Sequence, residues 1–399
     1  MAVASATTPH SRVASRTPGG AELSALRHRL LSRIRSTDAL LGTRIPKIGK
    51  PDLSWAVCTP SDWVSGFWMG QLWLAYQQTG DMEIADSARA RRDFFQTILD
   101  DPQYQDHDLG FQFILSSAFE HKLTVDHAAH DMALRAAEAL RGRFQSVGRY
   151  IKPWSHYPGA DSTWAKEAAS LMIVDTLQNL ALLFWAHRRT GVASYRAIAL
   201  AHAETSARLL VRPDGSTFHA YVFDPVTQEP LRGATHQGFS DASCWSRGQA
   251  WAIHGFAQIA RASGESSYLD LAMRVADFAI AHLPPDQVPE WDYLLLDGAP
   301  RHRDSSAGAI TAAGLLLIAS QLSGSRASFY KNAALAMIGG LMARCDLTKN
   351  PQAHGFLDEG AYWVGTGQNH AMLTYGDYYY LEAVLRALGH SNFAWDDQQ

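Results

Sequence analysis

The chain has 399 residues, 47% hydrophobic and 19% charged, which suits a sizeable core and excludes disorder for most of its length. Lys plus Arg number 35 against 39 Asp plus Glu, a formal charge of −4, so no dominant basic field exists to hold nucleic acid or an anionic membrane. No apolar run reaches the roughly 18 residues of a membrane span, and the scattered Cys58, Cys244 and Cys345 form neither a disulfide framework nor a zinc knuckle.

Residues 1–20 lack a clear apolar signal region and read as a flexible tail or a processing segment; 21–399 read as one domain, with a reducing, cytoplasmic setting as the default. From Ala21 onward, apolar residues recur at three- and four-residue spacing. The pattern predicts helices at 21–36, 63–79, 81–98, 109–119, 124–144, 165–190, 193–210, 246–262, 266–282, 305–322, 325–344 and 376–388. Four of the joints share one form: a helix ends in a small polar residue plus glycine, at Gly80, Gly191, Gly264 and Gly324, and a second amphipathic helix follows at once. Glycine there is a natural left-handed C-cap. Long unequal loops at 145–164, 211–245 and 284–304, rich in Trp, His and Asp, argue against an open helical scaffold. Six unequal hairpins closed into a ring, an all-α (α/α)6 barrel, is the economical reading.

Three stretches stand out chemically. In QDHDLGFQF, Asp106 or Asp108 caps a helix start, or Asp108 stands at the mouth of an inner helix beside His107. In SLMIVDTLQNLALLFWA, Asp175 interrupts an apolar stretch with Asn179 four residues on. Asp is rarely buried without a partner. It belongs either to a structural network or to a cavity, where Leu171, Met172 and Leu180 would raise its pKa. In THQGFSDASCWSRGQAWAIHGF, Gln237, Trp245, Arg247 and Trp251 gather at one helix start, the set of fork, flat rings and amide that an acidic sugar needs. Asp241 or Ser246 would cap there, and Trp251 would otherwise fill core. His219 lies on the loop before this cluster, and Asp304–Ser305 reads as the cap of another inner helix. GxGxxG, the P-loop, HExxH and the G-x-S-x-G elbow are absent, and no His or Cys has metal-ligand spacing. A cofactorless carboxylate hydrolase or lyase is favoured.

As a set, WVSGFWMGQLWLAYQQTGD, HDLGF, SLMIVDTLQNLALLFWA, TFHAYVFDP, HQGFSDASCWSRGQAW, WDYLLLDG with DSSAGA, and GDYYYLEAVL resemble the unsaturated glucuronyl hydrolases, glycoside hydrolase family 88. The likeness runs from about Trp63 to Leu388 in the family's order. It implies an (α/α)6 barrel and no metal or organic cofactor. The implied substrate is a short oligosaccharide ending in a 4,5-unsaturated uronic acid. It places the catalytic carboxylates on Asp108 and Asp175. The binding positions fall on His107, His219, Gln237, Trp245, Arg247 and Trp251, with Trp68 as a weaker candidate. Asp175 is expected to be the proton donor in apolar surroundings, and Asp108 to stay ionised at a polar helix start. Where sulfate-preferring members carry a serine-containing stretch, this chain has His370 and Ala371. Neither a nucleic-acid nor a membrane partner is expected, and the oligomer is a monomer or simple homodimer. Two alternatives stand beside this reading: an unsaturated galacturonyl or rhamnogalacturonyl hydrolase, and a non-catalytic barrel that binds acidic sugars.

Overall fold

The computed structural model describes residues 17–154 and 167–396. Most of the tail expected at 1–20, and the first two residues of the helix expected at 165–190, lie outside them.

Helices that are buried nearly all round alternate with helices that are amphipathic. The buried set comprises Ser65–Thr79, a composite running from Leu109 to Thr124 through a π turn at Ile114–Ala118, Thr176–Thr190, Ser246–Ser263, Ser305–Ala319 and Thr374–Ala387. In Ser305–Ala319, after the two opening serines, every residue but Thr311 is Ala, Gly, Leu or Ile, so no polar face exists to turn outward. Between them run the outer helices, among them His127–Arg141, Ala193–Leu209, Ser266–Ala281 and Gly324–Arg344. The first helix, Gly20–Leu41, packs on Thr374–Ala387 and Ser65–Thr79 and so completes the outer layer across the chain ends.

Six glycines show that the inner ring closes. A Cβ on Gly66 would meet residues 111–112, on Gly110 Asn179, and on Gly255 Leu177. One on Gly314 would meet Ile253 and His254, on Gly376 Ser306, and on Gly70 Tyr378. Each of the six seams between neighbouring inner helices thus carries a glycine at which a methyl group would approach the adjacent helix to 3.0 Å or less. Backbones come this close only without a side chain between them. The architecture is the (α/α)6 toroid expected from the sequence.

Gly80, Gly191 and Gly264 are left-handed C-caps, with φ of 69°, 73° and 78°. Gly324 is not: the helix before it ends at Ala319, and Gly324 opens the next. A larger correction concerns the helix expected from 165. Leu171–Ile173 is a strand, pairing antiparallel with Ala220–Phe223, which pairs in turn with Pro230–Ala234. A short buried apolar run has the same appearance in a strand as in a helix. Asp175 therefore stands at the start of its helix, not within it.

All six inner helices begin at one end of the ring. The other end is filled by the chain's C-terminal turn. Trp395 donates to Glu382 at 2.9 Å and lies parallel to Tyr379, while Asp396 pairs with Arg261 and Arg386. His254 faces Glu382 at 3.2 Å inside the ring. No helix among the described residues is long and apolar enough to cross a membrane.

Candidate active site

A cavity of about 730 Å³ opens at the end where the inner helices start. Residues just ahead of a helix start form much of its wall: Trp63 before Ser65, His107 and Asp108 before Leu109, and Asp175 before Thr176.

Asp106 and Asp108 divide the two roles left open for them. Asp106 Oδ1 accepts the Asp108 backbone N–H at 2.8 Å, and the Asp108 side chain makes no capping bond. The Asp108 carboxyl is thereby left to the cavity. Its Oδ1 accepts from Asn179 Nδ2 at 3.1 Å. The amide orientation follows from its other end, because Asn179 Oδ1 accepts the Phe111 N–H at 2.7 Å. The same Nδ2 lies 3.3 Å from His107 Nδ1, so that nitrogen is an acceptor and Nε2 carries the ring proton, 3.4 Å from Asp108 Oδ2. Asn179 thus serves Asp108 across a seam, not its helix neighbour Asp175.

The strand pairing delivers Asp175. Ile173 registers with Ala220, and the Val174 N–H donates to His219 O at 2.9 Å, which brings the two side chains together beyond the strand ends. His219 Nδ1 accepts from the backbone N–H groups of His236 and Gln237 at 3.1 and 3.3 Å. Its Nε2 therefore carries the proton and faces Asp175 Oδ2 at 3.7 Å. Asp175 Oδ2 makes no hydrogen bond among the described residues.

Burial raises the Asp175 pKa to about 7; the Arg247 charge and the neighbouring Trp251 indole oppose that rise without cancelling it. Asp108 does not have the polar setting expected of it. Burial, then the charges of Asp106 and Asp175, push its pKa well up, and Asp106 itself is raised to about 6 by burial. Ionisation of Asp106 and Asp175 disfavours that of Asp108, so the three titrate as a set. Burial holds His107 and His219 well below the usual imidazole range, and neutral.

Of the residues expected at the site, His107, Asp108, Asp175, His219 and Gln237 line the cavity. Trp245, Arg247 and Trp251 stand behind that lining, each 3% exposed or less. Trp245 lies 4.3 Å from the His219 ring, and the Arg247 guanidinium lies 4.4 Å over Trp245. Arg247 pairs with Asp304 at 2.9 Å and donates to Ala361 O and Tyr362 O, while its Nε is buried without a hydrogen bond among the described residues. Gln237 also donates to Tyr362 O, at 2.9 Å. Asp304 caps Ser305–Ala319 as expected, but Asp241 and Ser246 cap nothing: the cap position is Trp245, and Asp241 accepts the Thr235 N–H instead. Trp68 is buried in its helix and lies outside the lining; Trp63 occupies the wall.

Sequence reasoning missed Trp63, Tyr104, Trp154, Tyr362 and Trp363 in this wall. For Trp63 a signal existed: it precedes an inner helix, as Asp108 and Asp175 do. Tyr362 and Trp363 sit on a loop with no periodicity, held by contacts from positions more than 100 residues away. Among the described residues no cluster of His, Cys, Asp and Glu is placed to hold a metal ion.

This geometry has close counterparts. The unsaturated glucuronyl hydrolase of Bacillus sp. (strain GL1) is 40% identical over 353 residues, 86% of this chain and 91% of the relative. The chain belongs to the unsaturated glucuronyl hydrolase family. An unsaturated chondroitin disaccharide hydrolase of Streptococcus pneumoniae is 35% identical over 340 residues, 84% of each chain. The crystal structure of the Bacillus sp. GL1 enzyme superposes with a TM-score of 0.87 at 36% identity, covering 95% of this chain and all of that one. A Streptococcus agalactiae unsaturated glucuronyl hydrolase variant, solved with dGlcA-GalNAc6S, superposes with a TM-score of 0.82 at 29% identity, covering 96% and 95%. No protein-family model matches the chain. As a member of the glucuronyl hydrolases the protein is an enzyme, which removes the binding-only barrel from consideration.

Proposed function

We propose that this enzyme hydrolyses short oligosaccharides ending in a 4,5-unsaturated uronic acid, and does so by hydrating the double bond. The observation that carries the reading is Asp175: an enclosed carboxyl at a cavity wall, with a pKa near 7, in a family of unsaturated glucuronyl hydrolases. A carboxyl that still holds its proton near neutral pH is the donor such chemistry needs.

The substrate is a vinyl ether, with C4=C5 joined to the ring oxygen. Asp175 gives its proton to C4, and positive charge develops over C5 and O5. Asp175, now a carboxylate, takes a proton from water as the water oxygen bonds to C5. The resulting hemiketal opens between C5 and O5, and the aglycone leaves C1 as an alcohol. Asp108, held by Asn179, stands on the facing helix start and bonds the sugar or the water. As the substrate gives up its alkene, any negative charge on the Asp106–Asp108 pair offsets the cation. His219 faces Asp175 with Nε2–H at 3.7 Å, close enough to stabilise the carboxylate once its proton is given up. His107 and Gln237 supply further donors and Trp63 supplies flat surface, while Trp245, Arg247 and Trp251 back the wall from behind. Trp68 is left without a part. The three cysteines are free thiols, which fits the reducing cytoplasm.

The test is turnover of unsulfated unsaturated chondroitin disaccharide, followed by loss of the ultraviolet absorbance of its conjugated alkene. In heavy water the product must carry deuterium at C4. A product that retains the double bond refutes hydration.

A further inference from the structure

The mechanism gives Asp106, which lines the same cavity, no more than a share of negative charge, and gives no part to Arg143 behind it. Asp106 Oδ1 closes a small turn onto the Asp108 N–H at 2.8 Å. This turn lies immediately before Leu109, so it sets the direction in which Asp108 leaves the backbone.

Arg143 holds that turn from outside. Its three guanidinium nitrogens donate to three carbonyls: Nη1 to Gln105 O at 2.9 Å, Nε to Lys152 O at 2.9 Å and Nη2 to Pro153 O at 3.0 Å. Pro153 O also accepts the His107 N–H at 3.0 Å. One cation therefore ties residues 105–107 to residues 152–153, and Trp154, the next residue, meets the His107 ring edge-on at 5.5 Å. Residues 105–107 lie outside any helix or strand, and these bonds help to fix them ahead of the helix that Asp108 opens.

We propose that Asp106 and Arg143 are positioning residues for the Asp108 carboxyl, Asp106 by its turn onto the Asp108 N–H and Arg143 by clamping the loop that carries both. The inference rests on the hydration reading for its kinetic test but not for its structural one. The groups facing Asp106 are Asp108, with Asp175 beyond it, and Arg143, whose charge acts on both Asp106 and Asp108.

The experiment compares Asp106→Ala with Asp106→Asn on unsulfated unsaturated chondroitin disaccharide. Alanine removes the turn acceptor; asparagine keeps it and removes the charge. Asp106→Ala should lower kcat about 10- to 100-fold, as displacement of a reacting group does, with KM within about threefold of the parent. Asp106→Asn should recover most of kcat, with the acidic limb of its pH profile moved to lower pH because a negative neighbour of Asp108 is gone. Unchanged kcat in Asp106→Ala overturns the proposal. Equal loss in both variants also overturns it, since that outcome makes the Asp106 proton or charge the working part. If the parent enzyme leaves the disaccharide untouched, the hydration reading fails by itself. The crystal structure of Asp106→Ala then decides: an Asp108 carboxyl withdrawn from Asn179 supports positioning, and one still in place refutes it.

Discussion

Asn179 Nδ2 lies 3.1 Å from Asp108 Oδ1, so the third inner helix holds the carboxyl that opens the second. The contact crosses a seam at Gly110, where a Cβ would collide with the Asn179 Cα, Cβ and Oδ1. Backbone packing and site geometry are therefore one arrangement at this point. Gly110→Ala should cost about 1–3 kcal/mol through overpacking and lower kcat as Asn179 is displaced. Gly191→Ala, at a left-handed cap with nothing within 4 Å, should cost stability alone. Melting curves and kcat measured on both variants check the contrast; equal kcat losses would refute it.

Replacing Asp175 by Asn keeps volume and removes the proton. The variant should fold and lose activity about 10²- to 10⁴-fold, the usual scale of general acid–base catalysis. Steady-state rates on an unsaturated disaccharide, alongside circular dichroism, measure both halves of the expectation. A well-folded Asp175→Asn enzyme with full activity would remove Asp175 from the chemistry.

Activity should fall as pH rises through about 7, because the raised Asp175 pKa makes the protonated form the competent one. Stability should move in the same direction. Between the ordinary carboxyl value of 3.8 and about 7, the folded protein holds a proton that the unfolded chain has released. Folding stability therefore decreases as pH rises across that window. In Asp175→Asn this part of the slope should vanish, which urea titrations at several pH values would show.

Arg247 is 1% exposed and its partner Asp304 is fully buried. Arg247→Ala leaves that carboxylate without its cation and should cost about 3–5 kcal/mol. It also releases Tyr362 O from one of its two side-chain donors, so KM should rise in whatever fraction remains folded. Chemical denaturation and substrate titration separate the two effects. Unchanged stability would contradict the buried pair.

The described cavity wall includes Asp62, Asp106, Asp108 and Asp175 and no Lys or Arg. Lys47, close to the mouth, is already paired with Asp62. An unsulfated aglycone should therefore be turned over faster than a sulfated one. The difference should shrink as salt screens the repulsion. Parallel assays of unsulfated and 6-sulfated unsaturated chondroitin disaccharides, at two salt concentrations, test this.

The helices were legible because each buried face repeats every three to four residues and glycine marks three of the joints. Asp108 and Asp175 were legible as carboxyls out of place. Their surroundings were not. Leu171–Ile173 looks helical until Ala220–Phe223 pairs with it, and that pairing spans nearly 50 residues. The ionisation of Asp108 depends on Asp106 and Asp175 facing it across a closed space, which no local pattern encodes. Tyr362 is held at the wall by Arg247 and Gln237, which bond its carbonyl from more than 100 residues away.

Trp395 and its partners stopper the toroid at the end away from the cavity, and Trp251, Tyr379 and His254 fill the axis between. The lumen is a cul-de-sac. A polysaccharide cannot thread through it and is met only by its tip. Among the described residues, that end offers no second way in. Attack at a chain's end, and not along its length, is thus imposed by a tryptophan far from the cavity, in a place that no sugar visits.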